Sequence, residues 1–351
     1  MDFEELIGRA EHCHRLTEEE ITALLAAPEA GEKLRQAADR VRQKYVGGAV
    51  WLRGLIEFSS YCRNNCSYCG LRRDNERTGR FRLTEAEILR LTERAVEYGY
   101  GTVVLQSGED MYFSAERLAG LIRKIKMLGL AVTLSVGERP FEDYRVWREA
   151  GADRFLLRVE TTDGAVYARH NPGMSLEARR DCLDGLRRLG YEVGTGSLVG
   201  LPGQTEAMLA RDILFFQALD ADMVGIGPLI PHPDTPLKDA KAGDIGLVLR
   251  MVALLRLLLP EANIPATTAM ETLLSGARLL ALRGGANVIM PNLTEGEARE
   301  QYALYPGKAG VADRPEECRL VLREQLASIG RYTGEGKGSR RHERKIIGNY
   351  L

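Results

Sequence analysis

The sequence has almost no net charge: 48 Lys and Arg against 49 Asp and Glu leave −1 over 351 residues. No global field therefore favours nucleic acid or an anionic membrane, and neither is expected as a partner. Six cysteines are too few for a disulfide scaffold in a chain this long. No apolar run is long enough to cross a bilayer; the most apolar stretch, residues 245–260, is broken by Arg250 and Arg256. The start, MDFEELIGRAEHC, is acidic and amphipathic and has none of the marks of a secretory leader. A cytoplasmic, reducing location is the expectation. Repeats and low-complexity stretches are missing up to a basic tail, KGSRRHERK at 337–345. A hydrophobic content of 44% rules out disorder for most of the length, and 37 glycines point to many tight turns or close backbone approaches.

What is present alternates. Thr17 with Glu20 and Thr84 with Glu87 read as capping boxes, each opening a helix. A further helix is expected over 31–46. Apolar runs that turn abruptly polar follow at 50–58, 102–110, 131–138, 154–161, 191–205, 221–232, 263–270 and 286–292. Helical patterns separate most of them, one opening at Thr84 with Ile88, Leu91 and Ala95 at helical spacing and others at 114–129, 142–151, 175–190, 205–219, 244–259 and 271–283. Eight such units in about 240 residues predict an α/β fold with a complete (β/α)8 TIM-type barrel. A doubly wound sheet is the alternative, but no nucleotide fingerprint follows the first strand. The expected division is a helical extension over 1–48, the barrel over 49–310, and a C-terminal helix with the basic tail over 311–351.

In such a barrel ligands meet the C-terminal ends of the strands. Those ends carry Gln106, Ser107 and Glu109; Thr133 and Ser135; Arg158 and Glu160; Thr195 and Ser197; His232; Thr267 and Thr268; and Asn292. Singly, each is an ordinary cap or turn residue. Their recurrence at one end of seven predicted strands points to a polar-lined mouth.

Residues 62–69 read CRNNCSYC, directly after the first strand. Cys62, Cys66 and Cys69 are close enough to share one metal centre, and thiolates suit zinc or an iron–sulfur cluster. A closed zinc site wants four ligands, yet no His lies between residues 15 and 169 and no fourth Cys is near, though a distant ligand would complete one. A cubane on three cysteines leaves one iron open for a chelating ligand. That is the favoured reading, beside zinc and a group of bystander thiols.

CRNNCSYC resembles the CxxxCxxC signature of the radical S-adenosylmethionine (SAM) superfamily, with Tyr68 before the third cysteine. Within it, GLRRDN (70–75), LQSGED (105–110), VTLSVGE (132–138), VGLPGQT (199–205), GIGPLIPHPDTPL (225–237), PATTAM (265–270), ANVIMPN (286–292) and YALYPGK (302–308) resemble the HydE-type FeFe-hydrogenase maturases. Biotin synthase and methylornithine synthase are similar relatives. The resemblance implies a 4Fe–4S cluster on Cys62, Cys66 and Cys69, SAM chelating its open iron, and reductive cleavage to a 5′-deoxyadenosyl radical. It places Tyr68 along the adenine, Ser107 and Glu109 at the methionyl amino group, and Glu160 and Arg179 at the ribose and carboxylate. It places Gln106, Thr133, Arg158, Thr267, Thr268, Met290, Tyr302 and Tyr305 around a small anionic substrate, with Arg158 also in the catalytic set. The bland readings are an internal Arg158–Glu160 ion pair, core packing for Met290, and helix packing for both tyrosines.

The chain departs from this family twice. Some members hold a second cluster on three more cysteines near the C-terminus, where this chain has Cys318 alone, so one cluster is expected. Val159 stands where a His is common, on the strand face opposite Arg158 and Glu160. The implied activity is maturation of the hydrogenase cluster on a cysteine-bearing iron precursor, with a flavodoxin or ferredoxin as electron donor and transient contacts to other maturases. The competing readings are an amino-acid mutase of the methylornithine synthase type, another HydE-like enzyme acting on a small carboxylate or thioether, and a cluster carrier without radical chemistry.

Overall fold

The computed structural model describes residues 2–310 and 315–340, without the side chains of 315–318; the Cys318 thiol and tail residues 341–345 lie outside the described set. Both capping boxes form: Thr17 and Glu20 start the helix Glu18–Ala26, and Thr84 and Glu87 start Glu85–Glu97. The strands are β1 (Ala49–Ser59), β2 (Thr102–Ser107), β3 (Ala131–Ser135), β4 (Arg154–Leu156), β5 (Glu192–Thr195), β6 (Leu198–Val199), β7 (Met223–Val224), β8 (Gly227–Pro228), β9 (Val288–Ile289) and β10 (Tyr332–Thr333). The ladders are parallel in the order β10-β1-β2-β3-β4-β5-β7, with β9 also on β1 and β6 paired separately with β8.

The result is an α/β architecture whose sheet is a curled half-barrel rather than the expected complete ring of ladders. Residues 263–270, expected as a strand, make only single bridges, Asn263 to Met223 and Pro265 to Val288. Pro265 has no N–H to give a neighbouring strand, and the chain turns at once into the helix Thr268–Leu273. The run expected over 154–161 ends as a strand at Leu156. Beyond it only isolated bonds continue, such as Glu160 N–H to the Gly196 carbonyl (2.9 Å), and Glu160 takes a φ of +65°. The run at 191–205 breaks into β5 and β6 around Gly196, where a Cβ would sit 1.9 Å from the Gly225 carbonyl oxygen. Only glycine fits there.

Helices cover the outer face. The predicted helix over 271–283 is two, Thr268–Leu273 and Ala277–Arg283, separated by Gly276 at φ +85°. The helix Ile245–Leu258 is buried nearly all round, packed by the N-terminal helices Glu18–Ala26 and Gly31–Tyr45. Arg256, which interrupts its apolar run, is itself fully buried and donates to the carbonyls of Gly285 and Pro260 and to Asn287 Oδ1.

At the N-terminal end of the strands, residues 334–340 form a floor. Arg53 and Asn263 both donate to the Gly338 carbonyl (3.1 Å each), Arg154 donates to the Lys337 carbonyl (2.9 Å) and Ser339 Oγ (2.7 Å), and Trp51 packs over Gly334 and Gly338. Part of the basic tail is therefore interior, not a solvated appendage. Arg340 is anchored to Asp220 at 2.7 Å and Asp222 at 3.5 Å.

Candidate functional site

The cysteine loop leaves β1 at the opposite end and is tied down on three sides. The Ser67 amide donates to the His170 carbonyl and its hydroxyl pairs with His170 Nδ1, both at 2.9 Å. His170 Nε2 meets the Pro202 carbonyl at 3.0 Å, so both its ring nitrogens are engaged. The Gly70 amide donates to the Leu304 carbonyl (2.9 Å), and a Cβ at Gly70 would lie 2.1 Å from the Ala303 carbonyl oxygen. Gly108 presses as closely on Tyr61, with 2.3 Å left between a Cβ there and the Tyr61 carbonyl oxygen. The loop's position is set by backbone contact, which fixes where its sulfurs can point.

The thiols of Cys62, Cys66 and Cys69 are partly buried and free of disulfides. Burial and the neighbouring Cys62 push the Cys66 thiol up to about 12, and burial with both partners raises Cys69 further. Three thiolates here need a cationic centre to exist together. Among the described residues no group of three or more His, Cys, Asp or Glu converges on a single metal ion. The donor set fits a polynuclear cluster better than zinc, and His170 is not free to complete a zinc site.

Beside the loop, Tyr68 donates its hydroxyl to Asn171 Oδ1 (2.7 Å). Glu109 is buried, with one carboxylate oxygen on Arg63 Nε (2.8 Å) and the other on the Glu138 amide (2.6 Å). Ser107 turns its hydroxyl to the Gly108 carbonyl (2.7 Å). Arg179, the buried arginine of the helix Leu176–Arg188, reaches Glu138 Oε1 (2.5 Å) and the Arg158 carbonyl (2.8 Å). Arg158 Nη2 lies 2.9 Å from Glu160 Oε2 and donates to the Ser197 carbonyl at 2.7 Å. The bland ion pair is thus present, but it is out of line: Glu160 Oε2 accepts no hydrogen bond.

The expected substrate residues separate into groups. Thr133, registered with Arg154 and sharing its inward face, has a hydroxyl without a partner. Thr267 donates to the Ile226 carbonyl (3.2 Å), and it and Arg158 flank Gly227, 3.7 and 4.0 Å from where a Cβ would be. Tyr302 is fully buried, with Gln106 near its hydroxyl, and Tyr305 lies near Thr272. Thr268 and Met290 instead line a cavity of about 450 Å³ beside β1 and β9, whose wall includes Asn292, Lys308, Arg278 and Arg319 but neither Thr133 nor Arg158.

Sequence reasoning missed Glu57. It is buried on β1, accepts from Asn292 Nδ2 (2.7 Å) and forms an ion pair with Lys308. The interior therefore has a carboxylate besides Glu160, neutralised by a lysine 251 residues away. Inward alternation with Arg53 along β1 was the available signal. Glu138, Asn171 and His170 were also missed; all three lie in loops or helix ends, where no periodicity marks them. Among the described residues, the buried side-chain oxygens without a hydrogen-bond partner are those of Thr133, Glu160 and Tyr167. Unsatisfied buried oxygens are rare, and these await hydrogen bonds from a ligand or water.

Residues 56–216 match the radical SAM superfamily, and residues 226–306 match the Biotin and Thiamin Synthesis associated domain. The [FeFe] hydrogenase maturase subunit HydE of Thermotoga maritima is 51% identical over 310 residues, covering 88% of this chain and 89% of that one. The 3-methylornithine synthase of Methanosarcina acetivorans is 30% identical over 90% of each. Among solved structures, methylornithine synthase (PylB) superposes with a TM-score of 0.83 at 27% identity, covering 94% of this chain and 97% of that chain. The hydrogenase maturase HydG, at 20% identity and a TM-score of 0.81 over 94% of this chain and 75% of that chain, shares the fold. No helix among the described residues is long and apolar enough to cross a membrane. A relative sharing half its residues over nearly the full length settles the family: the chain is a radical SAM enzyme and belongs with HydE.

Proposed function

We propose that the chain matures FeFe-hydrogenase by acting on a cysteine-bearing iron precursor. The observation that carries this is the 51% identity to a HydE maturase, against 30% for the methylornithine synthase. The interior charges agree with it. A mutase of free amino acids needs a carboxylate open to an ammonium group, whereas Glu57 is taken by Lys308 and Glu160 stands beside Arg158. A ligand with net negative charge meets Arg158 and the hydroxyls of Thr133 and Thr267 without burying a like charge.

In this reading Cys62, Cys66 and Cys69 hold a single 4Fe–4S cluster, Cys318 being the one cysteine in the C-terminal region. Supplied with an electron by a flavodoxin or ferredoxin, such a cluster cleaves bound SAM to methionine and a 5′-deoxyadenosyl radical. The chain's own residues bind and orient. Asn171 fixes the Tyr68 ring along the adenine; Glu109 and Ser107 border the methionyl end; Glu160 offers its unsatisfied oxygen to the ribose hydroxyls; Arg179 lies at the carboxylate. Gln106, Tyr302 and Tyr305 border the substrate site, and Thr268 and Met290 line the cavity beside β1 and β9. The single bridges Asn263–Met223 and Pro265–Val288 link the β7 edge of the half-barrel towards β9.

The test is made with reconstituted, reduced protein. It should form 5′-deoxyadenosine from SAM and activate apo-hydrogenase together with the other maturases. SAM cleavage without hydrogenase activation, accompanied by turnover of lysine, would favour the mutase; bound iron with no cleavage at all would favour the carrier.

A further inference from the structure

Asp212 lies on the outer helix Glu206–Ala218, is wholly buried, and makes no ion pair among the described residues. Burial pushes its carboxyl up to about 6. An unpaired carboxylate in a protein interior is costly and persists where its hydrogen bonds hold something in place. Its Oδ1 accepts from the Thr162 amide (2.7 Å) and the Thr162 hydroxyl (2.6 Å), and its Oδ2 accepts from the Ser197 hydroxyl (2.6 Å). Thr162 follows Glu160 by two residues, and Glu160 is held at φ +65°, a region that residues with a Cβ seldom occupy. Ser197 is the bridge partner of Glu160, and its carbonyl receives Arg158 Nη2.

One carboxylate therefore grips both segments that present the Glu160–Arg158 pair to the barrel mouth. We propose that Asp212 is a positioning residue, which locks Glu160 in its left-handed conformation and sets the Ser197 carbonyl that aims Arg158. This deepens the proposed function and rests on its reading of Glu160 as a SAM contact. The three donors leave little freedom: Thr162 is pinned by backbone and side chain together, so Glu160 cannot relax to an extended φ without breaking them. Asp212 touches neither Glu160 nor Arg158 directly in any hydrogen bond of the described residues, and acts through Thr162 and Ser197.

The experiment uses cluster-loaded enzyme and isothermal titration with SAM, beside iron content and the EPR signal of the reduced cluster with and without SAM. Asp212→Asn replaces one acceptor oxygen by a donor and should weaken SAM binding by roughly tenfold, the value of one charge-assisted hydrogen bond. Thr162→Val should weaken it severalfold, while Thr162→Ser, which keeps the hydroxyl, should restore the native value. Iron content and the SAM-free EPR signal should stay unchanged, and the SAM-induced change in that signal should shrink in step with affinity. If Asp212→Asn fails to fold, the Thr162→Val and Thr162→Ser pair decides alone. Native SAM affinity in Thr162→Val, with only a lowered Tm, would reduce Asp212 to a structural strut and overturn the proposal. Glu160→Ala separates the two layers: native SAM binding there would sink the reading of Glu160 itself. Weakened binding there with Asp212→Asn and Thr162→Val silent would sink only the positioning role.

Discussion

Both ends of the barrel bury arginine, and they answer it differently. On the floor, the Arg154 guanidinium meets Glu192 (2.7 Å), Thr102 Oγ1 (3.1 Å), the Lys337 carbonyl (2.9 Å) and Ser339 Oγ (2.7 Å). Arg53 gives its Nη groups to the Gly338 carbonyl and Met223 Sδ. The chain's own atoms are the partners. At the mouth and along the inward face, Glu160, Thr133 and Tyr167 keep oxygens with no hydrogen-bond partner, and a non-glycine residue sits at positive φ. On the floor the chain's own atoms take most of the arginine donors, Arg53 Nε and Arg340 Nε being exceptions, so these groups stabilise the chain; at the mouth it is acceptor oxygens that stay open, and those serve a ligand.

The sharpest way to break this contrast is at the cysteine loop. Cys66→Ala should abolish both bound iron and 5′-deoxyadenosine formation while the floor keeps Tm close to native; a variant that still binds close to four iron per chain would remove Cys66 from the cluster. Arg154→Ala should do the reverse. It strips the half-buried Glu192 carboxylate, the Lys337 carbonyl and the hydroxyl oxygens of Thr102 and Ser339 of their donor, at a cost of about 1–3 kcal/mol. Denaturant unfolding should register that loss, with SAM affinity of the folded fraction unchanged; a tenfold weaker SAM dissociation constant would erase the distinction between the ends.

Next comes Arg179→Ala. It should weaken SAM binding about ten- to a hundredfold, from a charge-assisted bond of roughly 1.5–3 kcal/mol. Arg158→Ala should instead impair turnover of the anionic substrate more than SAM binding. Titration calorimetry and product analysis on both variants separate them, and identical profiles would merge the two sites.

The smallest effect is in pH. Asp212 has its carboxyl raised by burial to about 6, above the unfolded value of about 3.9. The native state then holds an extra proton between those values, so this group's contribution to stability is full below about 4 and is lost as pH rises through about 6. Asp110 has the opposite sign: burial works to raise it, but bonds from Arg82 and Ser59 prevail and lower it, so its contribution is present above the unfolded value and lost at lower pH. The Tm of the native protein minus that of Asp212→Asn should fall between pH 4 and 7. A constant difference would mean that Asp212 does not titrate in this range.

Much of this was legible beforehand where the signal is periodic or dense. The apolar runs marked the β-strands, the capping boxes marked two helix starts, and three thiols in eight residues marked the loop. Pattern reading failed where backbone chemistry decides. It drew a strand through Pro265, missed the break at Gly196, and extended β4 past the positive φ of Glu160. It also placed Arg179 correctly on a helix but without Glu138, its partner 41 residues away. Pairings such as Glu57 with Lys308 leave no local trace, because each residue alone looks like an ordinary charge in a loop or strand. Thr268 and Met290 were grouped with Arg158 on resemblance, and the chain directs them to a different cavity.

The floor also sets an order of assembly. Arg53 waits for a carbonyl 285 residues further along the chain, and Arg154 for one 183 residues further. During synthesis the strands bearing both arginines emerge long before residues 334–340 exist, so the nascent half-barrel carries two guanidinium groups still short of their floor carbonyls. Contacts of such sequence separation form late and slowly, because the loop must close before they repay it. The last described residues are thus the keystone of the sheet that precedes them, and a ribosome stalled short of Gly334 would display an unsealed intermediate, a binding surface for chaperones rather than for SAM.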